Sequence, residues 1–108
     1  MISEYIAVMS YPEKNENNIQ IITIKGDVDL ENSDGLRDQV SAALDINTAV
    51  ALDMSEVSYI DSSGIAALIE NRQKADEAGK EFKLFKPSES VISVLKMAKL
   101  DTFFVIEN

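Results

Sequence analysis

Hydrophobic and polar positions along this chain predict strands that alternate with helices. Residues 5–9 and 19–25 are rich in isoleucine, valine and tyrosine, and they enclose the polar stretch 11–18. This pattern predicts two strands joined by a loop. The predicted strand at 48–54 carries an apolar run without a polar face, as expected of a central strand covered on both sides. Two shorter strands are predicted later, at residues 82–86 and 103–106.

Between these strands, apolar residues recur at the spacing of a helix. The first predicted helix covers residues 32–45, and either Asn32 or Ser33 is placed to cap its N-terminus. The second covers residues 62–78. The third opens at residues 87–89, where a proline precedes a serine and a glutamate.

The order of elements predicts the fold class. Two strands are followed by helix, strand, helix, strand, helix and strand, which predicts one α/β domain over residues 1–108. Its sheet should be mixed and mostly parallel, with an N-terminal strand pair and with helices packed on it. Loops that leave the same edge of a parallel sheet share a surface. We therefore expect four carboxylates to converge near Ser62 and Ser63, namely Asp27, Asp29, Asp53 and Asp61.

The stretch Asp61-Ser62-Ser63-Gly64 stands where the second predicted helix begins. The first N–H groups of a helix have no intrahelical partner, so an anion formed on a serine there should meet hydrogen-bond donors. Two roles are open for Ser62, helix capping and reversible phosphorylation. Asp61 is more simply a helix cap. Gly64 permits close approach by a partner or by a neighbouring loop.

Charge and composition narrow the classes of partner and chemistry. With 10 basic and 19 acidic residues the formal charge is -9, which disfavours nucleic acid and membrane surfaces as partners and favours a basic or mixed surface. The chain has no histidine and no cysteine, so it contains neither a Ser-His-Asp triad nor a usual zinc site. Without an apolar run long enough to span a bilayer, it is expected in the cytoplasm.

Three short motifs follow one another along the chain. They are Ile-Lys-Gly-Asp-Val-Asp at 24–29, Ala-Leu-Asp-Met-Ser at 51–55 and Tyr-Ile-Asp-Ser-Ser-Gly-Ile at 59–65. Together they resemble the STAS domains of bacterial anti-sigma factor antagonists, and the resemblance covers nearly the whole chain. One departure lies after the third predicted helix, where the family often has a small residue or glycine and this chain has Met-Ala-Lys-Leu-Asp at 97–101.

The resemblance implies a STAS-like domain that acts as a non-enzymatic switch. The unphosphorylated form would bind an anti-sigma factor that is also a serine kinase, and so free the sigma factor. Phosphorylation would reverse binding, and a serine phosphatase would restore it. The phosphorylated residue maps onto Ser62, with Ser63 as the second choice. ATP and magnesium belong to the kinase, so no cofactor is expected for this chain.

The same resemblance places the partner-binding surface around the serines. Of the two carboxylates that flank Val28, Asp27 and Asp29, Asp29 is the better candidate to face the serines. The expected partner-binding residues are Asp27, Asp29, Asp61, Ser62, Ser63 and Gly64.

Two alternatives remain open. The first keeps the fold but makes the chain an unphosphorylated scaffold subunit of a transporter or a stress-signalling complex. The second is a receiver-like domain phosphorylated on aspartate, suggested by carboxylates after strands and by Lys83 or Lys86. That chemistry needs clustered carboxylates that hold magnesium. It is disfavoured because no helix separates the two opening strands.

Overall fold

A mixed five-stranded sheet organises the chain. The structure is a computed structural model that describes residues 11–108, and within this range the strands are ordered β1-β2-β3-β4-β5 across the sheet. β1 pairs antiparallel with β2, and the later pairs are parallel. The strands are β1 (Glu13–Glu16), β2 (Ile19–Val28), β3 (Ala49–Ile60), β4 (Glu81–Phe85) and β5 (Val105–Glu107). The helices of this range are α1 (Ser33–Ile46), α2 (Ser62–Ala78) and α3 (Glu89–Met97). The predicted α/β fold with a mixed, mostly parallel sheet is confirmed.

The hydrophobic cluster to which the helices contribute lies on one face of the sheet. Ile22, Leu52 and Leu84 are aligned across β2, β3 and β4 and are fully buried. Each helix adds apolar side chains to the same cluster, as Leu36, Leu68 and Leu95 do for α1, α2 and α3. Right-handed crossovers that step in one direction along a sheet place their helices on one face, which agrees with this shared cluster.

The strand β1 lies inside the stretch that the sequence predicts to be a loop. It joins β2 through Asn17 and Asn18, whose φ angles of 54° and 67° suit the tight turns of two-residue hairpins. All of β1 is exposed, so it lacks the alternation that marks a half-buried strand. The predicted loop at 11–18 is therefore wrong. The strand predicted at 5–9 lies outside the described residues.

The central strands run further than predicted. β2 continues past residue 25 to Val28, and β3 continues past Met54 to Ile60 as one strand. Gly26, with a φ of 79°, lies where the pairing of β2 with β3 shifts register. Hydrogen bonding between the two strands outweighs the low strand propensity of glycine and aspartate here. Residues 49–52 are buried on both faces of β3, as predicted.

The last strand is shorter and later than predicted. Instead of residues 103–106 it covers Val105–Glu107, because Phe104 turns into the core and Phe103 lies under the Arg72 guanidinium. β5 is fastened to β4 by the ion pair of Lys83 with Glu107, at 2.8 Å. The hydrogen bond from Lys83 to Glu107 raises the pKa of the lysine.

The C-terminal end of α1 is held by two lysines from the α2 side. Lys74 donates to the Ser41 carbonyl at 3.1 Å and pairs with Asp45 at 2.7 Å, which lowers the pKa of that carboxyl. Lys80 donates to the Leu44 carbonyl. Since α1 has no basic residue in its own last turn, these lysines supply the positive charge that the carbonyl end of a helix favours. The two helices are thereby fixed relative to each other.

The first turn of α2 packs directly on the ends of β2 and β3. A Cβ atom added to Gly64 would lie 2.7 Å from side-chain atoms of both Ile60 and Val28 and 3.0 Å from the Val28 carbonyl oxygen. These distances are shorter than van der Waals contact, and the neighbours are buried. Only glycine allows α2 to begin this close to the sheet.

We expect Gly64→Ala to lower the free energy of unfolding by about 1 to 3 kcal/mol, the usual cost of overpacking a core. Gly35→Ala is the matched control, since a Cβ there meets nothing within 4 Å and alanine is the better helix former. It should raise stability by about 0.5 to 1 kcal/mol. Urea denaturation followed by circular dichroism measures both. Equal effects of the two substitutions would contradict the packing at Gly64.

The turn after α3 uses lysine where glycine is usual. Lys99 has a φ of 60°, and the Leu100 N–H donates to the Leu95 carbonyl at 2.8 Å, closing the helix end. Left-handed backbone is strained for residues with a side chain.

Replacing Lys99 by glycine should therefore raise the free energy of unfolding by about 1 kcal/mol. Lys96→Gly removes the same charge from within α3 and should lower it by about 1 kcal/mol. Thermal unfolding of the two variants should give shifts of opposite sign, and a loss of stability in both would contradict the strain at Lys99.

Candidate functional site

The candidate site begins at the N-terminus of α2. Asp61 is the cap, and its Oδ1 accepts hydrogen bonds from the N–H groups of Ser63 at 2.9 Å and Gly64 at 3.1 Å. Capping by Asp61 is confirmed, so Ser62 does not cap the helix. Ser62 is the first residue of α2 and is exposed. Among residues 11–108, its hydroxyl has no hydrogen-bond partner.

This cap changes the electrostatics expected at Ser62. The sequence predicts free N–H donors for an anion on the serine, but those of Ser63 and Gly64 already bond to the Asp61 carboxylate. That expectation is wrong for these two donors. A negative group on Ser62 would instead lie beside a carboxylate on the adjacent residue.

A second loop, between β2 and α1, lies beside the helix start. The Asp29 carboxylate accepts from the Glu31 N–H at 3.0 Å, and the Asp29 carbonyl accepts from the Ser33 N–H at 2.9 Å. The Asn32 side chain accepts from the Asp29 N–H at 2.9 Å and donates to the Asp27 carbonyl at 2.7 Å. Asn32 therefore braces the loop. It occupies the cap position of α1, but its side chain makes no cap hydrogen bond, contrary to expectation.

The two loops meet through their backbones. The Asp61 N–H donates to the Val28 carbonyl at 3.1 Å, which places Asp29 next to the start of α2. Asp27 is aligned with Tyr59, whereas Val28 is aligned with Ile60 on the helix-covered face. Because side chains alternate along a strand, Asp27 lies on the sheet face opposite the core.

Asp53 does not join this group. Because β3 runs unbroken to Ile60, Asp53 lies level with Thr23, whereas Ile60 lies level with Val28 at the end of β2. Its carboxylate accepts from the N–H and hydroxyl of Ser55, at 3.0 and 2.7 Å. The predicted convergence of Asp53 with the serines is wrong, since it assumed that a strand ends at Met54.

Gly64 lies beneath the surface, against Val28 and Ile60, and is buried. Its lack of a side chain sets how closely the first turn of α2 approaches the sheet. Ser63 is half-buried and faces α1. Of the two serines, Ser62 is the more exposed residue.

A groove between α1 and α2 adjoins the serines. Arg37 bridges it, with ion pairs to Asp34 at 3.2 Å and to Glu70 at 3.5 Å. The lining residues are Leu30, Ser33, Asp34, Arg37, Ser63, Ala66, Ala67 and Glu70. Sequence reasoning missed this groove and the bracing by Asn32. The order Asp-Leu-Glu-Asn after a strand is the signal for the loop, since such side chains bond to nearby backbone.

Tyr11 connects the N-terminal side of the described chain to this region. Its N–H donates to the Gln39 side chain at 2.9 Å, and that side chain donates back to the Tyr11 carbonyl at 2.8 Å. Partial burial, together with the charge of Asp29, raises the pKa of the phenol. Tyr11 therefore stays neutral beside the acidic loop.

Within residues 11–108, no cluster of three histidine, cysteine, aspartate or glutamate side chains is arranged to hold a metal ion. Lys83 pairs with Glu107 and Glu81 at the edge of the sheet. No helix in the described part of the chain has the length and apolar character needed to cross a membrane.

Several solved structures share this fold. A putative anti-sigma factor antagonist from Thermotoga maritima is 23% identical, with a TM-score of 0.83 over 91% of this chain and 86% of that one. An anti-sigma factor antagonist from Mycobacterium paratuberculosis is 17% identical, with a TM-score of 0.81 over 91% and 84%. The phosphorylated form of the Bacillus cell fate determinant SpoIIAA is 17% identical, with a TM-score of 0.70 over 92% of each chain.

The family model of the STAS domain matches residues 11–108, which is the whole of the described range. The antiparallel opening pair, the parallel strands and the capped helix start all lie within that match. This chain belongs to the STAS domain family.

Proposed function

We propose that this STAS domain is an anti-sigma factor antagonist that is switched by phosphorylation of Ser62. The unphosphorylated form binds an anti-sigma factor with serine kinase activity and frees the sigma factor, and a serine phosphatase reverses the modification. The switch operates in the cytoplasm, without a cofactor bound to this chain. One observation carries the proposal: Asp61 performs the capping, so the exposed Ser62 hydroxyl is left without a structural role among the described residues.

The charge around Ser62 supports a switch by local repulsion. A phosphate adds roughly 1.5 to 2 negative charges. It would stand next to Asp61, whose carboxylate already holds the nearest N–H donors, and close to the loop of Asp29. Burying such an unpaired charge against a partner costs several kcal/mol, and about 1.4 kcal/mol corresponds to tenfold in affinity. Since Ser62 is exposed, no refolding of the domain is required.

The proposed partner surface combines both loops. Asp29, Asp61, Ser62 and Ser63 lie together at the start of α2. Asp27 lies at the edge of this proposed surface, because its side chain is on the sheet face opposite the helices. Gly64 contributes indirectly. Its close packing against Val28 and Ile60 determines the position of the helix start that carries Ser62.

Similar structures support this proposal at the level of the fold. They include SpoIIAA, an anti-sigma factor antagonist solved in an unphosphorylated and in a phosphorylated form. In that protein, a domain of similar fold thus occurs in both states. The receiver-like alternative is not retained, because the chain belongs to the STAS family.

Incubation of the purified protein with a candidate anti-sigma factor kinase, ATP and magnesium should place one phosphate on the Ser62 hydroxyl, because Ser62 is the more exposed serine of the pair. Mass-spectrometric mapping of peptides measures this. Ser63→Ala is the matched control and should still be modified, whereas Ser62→Ala should not. A phosphate found on Ser63 in the wild-type protein would contradict the assignment.

Variants of Ser62 should differ in their affinity for the same kinase. Ser62→Ala should bind within about twofold of wild type, and Ser62→Asp should bind at least tenfold more weakly, because one added charge must be desolvated. Thr48→Asp adds the same charge before β3, at the opposite end of that strand, and should have little effect. Calorimetric titration measures the affinities. Equal binding by all variants would contradict the switch and favour the scaffold alternative.

A further inference from the structure

Leu30 is an exposed aliphatic side chain at the tip of the loop between β2 and α1. Its relative exposure is 76%, although most large apolar side chains of the described chain are buried. Scattered exposed leucines are ordinary in soluble proteins. Leu30 differs because of the loop that carries it and because of the charges around it.

The loop presents Leu30 in a fixed geometry. On one side, Asp29 accepts from the Glu31 N–H at 3.0 Å and from the Asn32 N–H at 3.2 Å. On the other side, the Asn32 side chain bonds to the backbone of Asp29 and of Asp27, at 2.9 and 2.7 Å. A side chain on a braced loop loses little freedom when it binds, so more of its burial contributes to affinity.

The surroundings of Leu30 carry excess negative charge. Glu31 is exposed beside it, and the adjoining groove is lined by Asp34 and Glu70. Arg37 is the basic residue of that lining, and it is paired with both of these carboxylates and with Asp38. Charge complementarity therefore calls for basic side chains on a partner that covers Leu30.

We propose that Leu30 and the adjoining α1–α2 groove form the docking anchor for the anti-sigma factor. The partner presents an apolar pocket that takes the Leu30 side chain, flanked by lysine or arginine side chains that face Glu31, Asp34 and Glu70. This inference rests on the proposed function. It also explains why a charge on Ser62 acts on binding, since the neighbouring Ser63 lines the same groove.

The experiment compares Leu30→Ala with Ile46→Ala. Ile46 is an equally suitable aliphatic residue, 84% exposed, at the last position of α1 and so at the opposite end of that helix. Both variants and Ser62→Asp are titrated against the purified kinase that phosphorylates Ser62. We expect Leu30→Ala to weaken binding roughly tenfold or more and Ile46→Ala to stay within about twofold. Melting temperatures should match the wild type, since both side chains are exposed.

A second pair of variants tests whether acidic side chains near Leu30 speed association with the kinase. Glu31→Gln should slow association with the kinase and reduce its dependence on salt, because a charge is removed near the contact. Glu77→Gln removes an exposed charge near the C-terminal end of α2 and should leave the rate unchanged. Stopped-flow measurements at low and high salt give these rates.

Two failures can be told apart. If Ser62→Asp loses binding while Leu30→Ala binds as tightly as Ile46→Ala, the docking anchor is wrong and the phosphorylation switch stands. If Ser62→Asp binds like the wild type, the proposed function itself fails. An unchanged association rate for Glu31→Gln would overturn the basic character assigned to the partner.

Discussion

The contact between the first turn of α2 and the ends of β2 and β3 determines where the candidate site lies. The Val28 carbonyl accepts from the Asp61 N–H, and the space above Val28 and Ile60 leaves no room for a Cβ at residue 64. Glycine there lets the helix start in contact with the sheet. The helix start, and every hydroxyl on it, is thus fixed relative to the β2–α1 loop. One backbone hydrogen bond and one close contact thus join two separate loops into one surface.

Within the stretch 61–64, each residue has a different role. Asp61 satisfies two N–H groups of the helix, and Gly64 provides the close packing. Ser63 faces the groove. Of these four residues, Ser62 alone is exposed and takes no part in capping, close packing or the lining of the groove. A group added to its hydroxyl would alter surface charge without breaking a hydrogen bond of the described fold. The effect of such a group would be local, since neither the cap nor the core has to rearrange.

The neighbouring loop and helices are held by separate polar contacts. Asn32 braces the acidic loop, while Lys74 and Lys80 secure the far end of α1. These contacts lie outside the hydrophobic core, so they position the surface rather than drive folding. An acidic, preformed surface suits association with a basic partner, because charges steer the encounter and a rigid loop loses little entropy on binding. The formal charge of -9 agrees with such a partner.

Local pattern determined the helices, the buried run of β3 and the aspartate cap, because periodicity and capping depend on residues close in sequence. It did not reveal β1, a polar edge strand whose partner lies across a turn, nor the extension of β3 that removes Asp53 from the site. The bracing by Asn32 and the exposure of Leu30 were likewise settled by tertiary structure. Strand pairing and burial depend on distant residues, and those contacts exist only once the chain has folded.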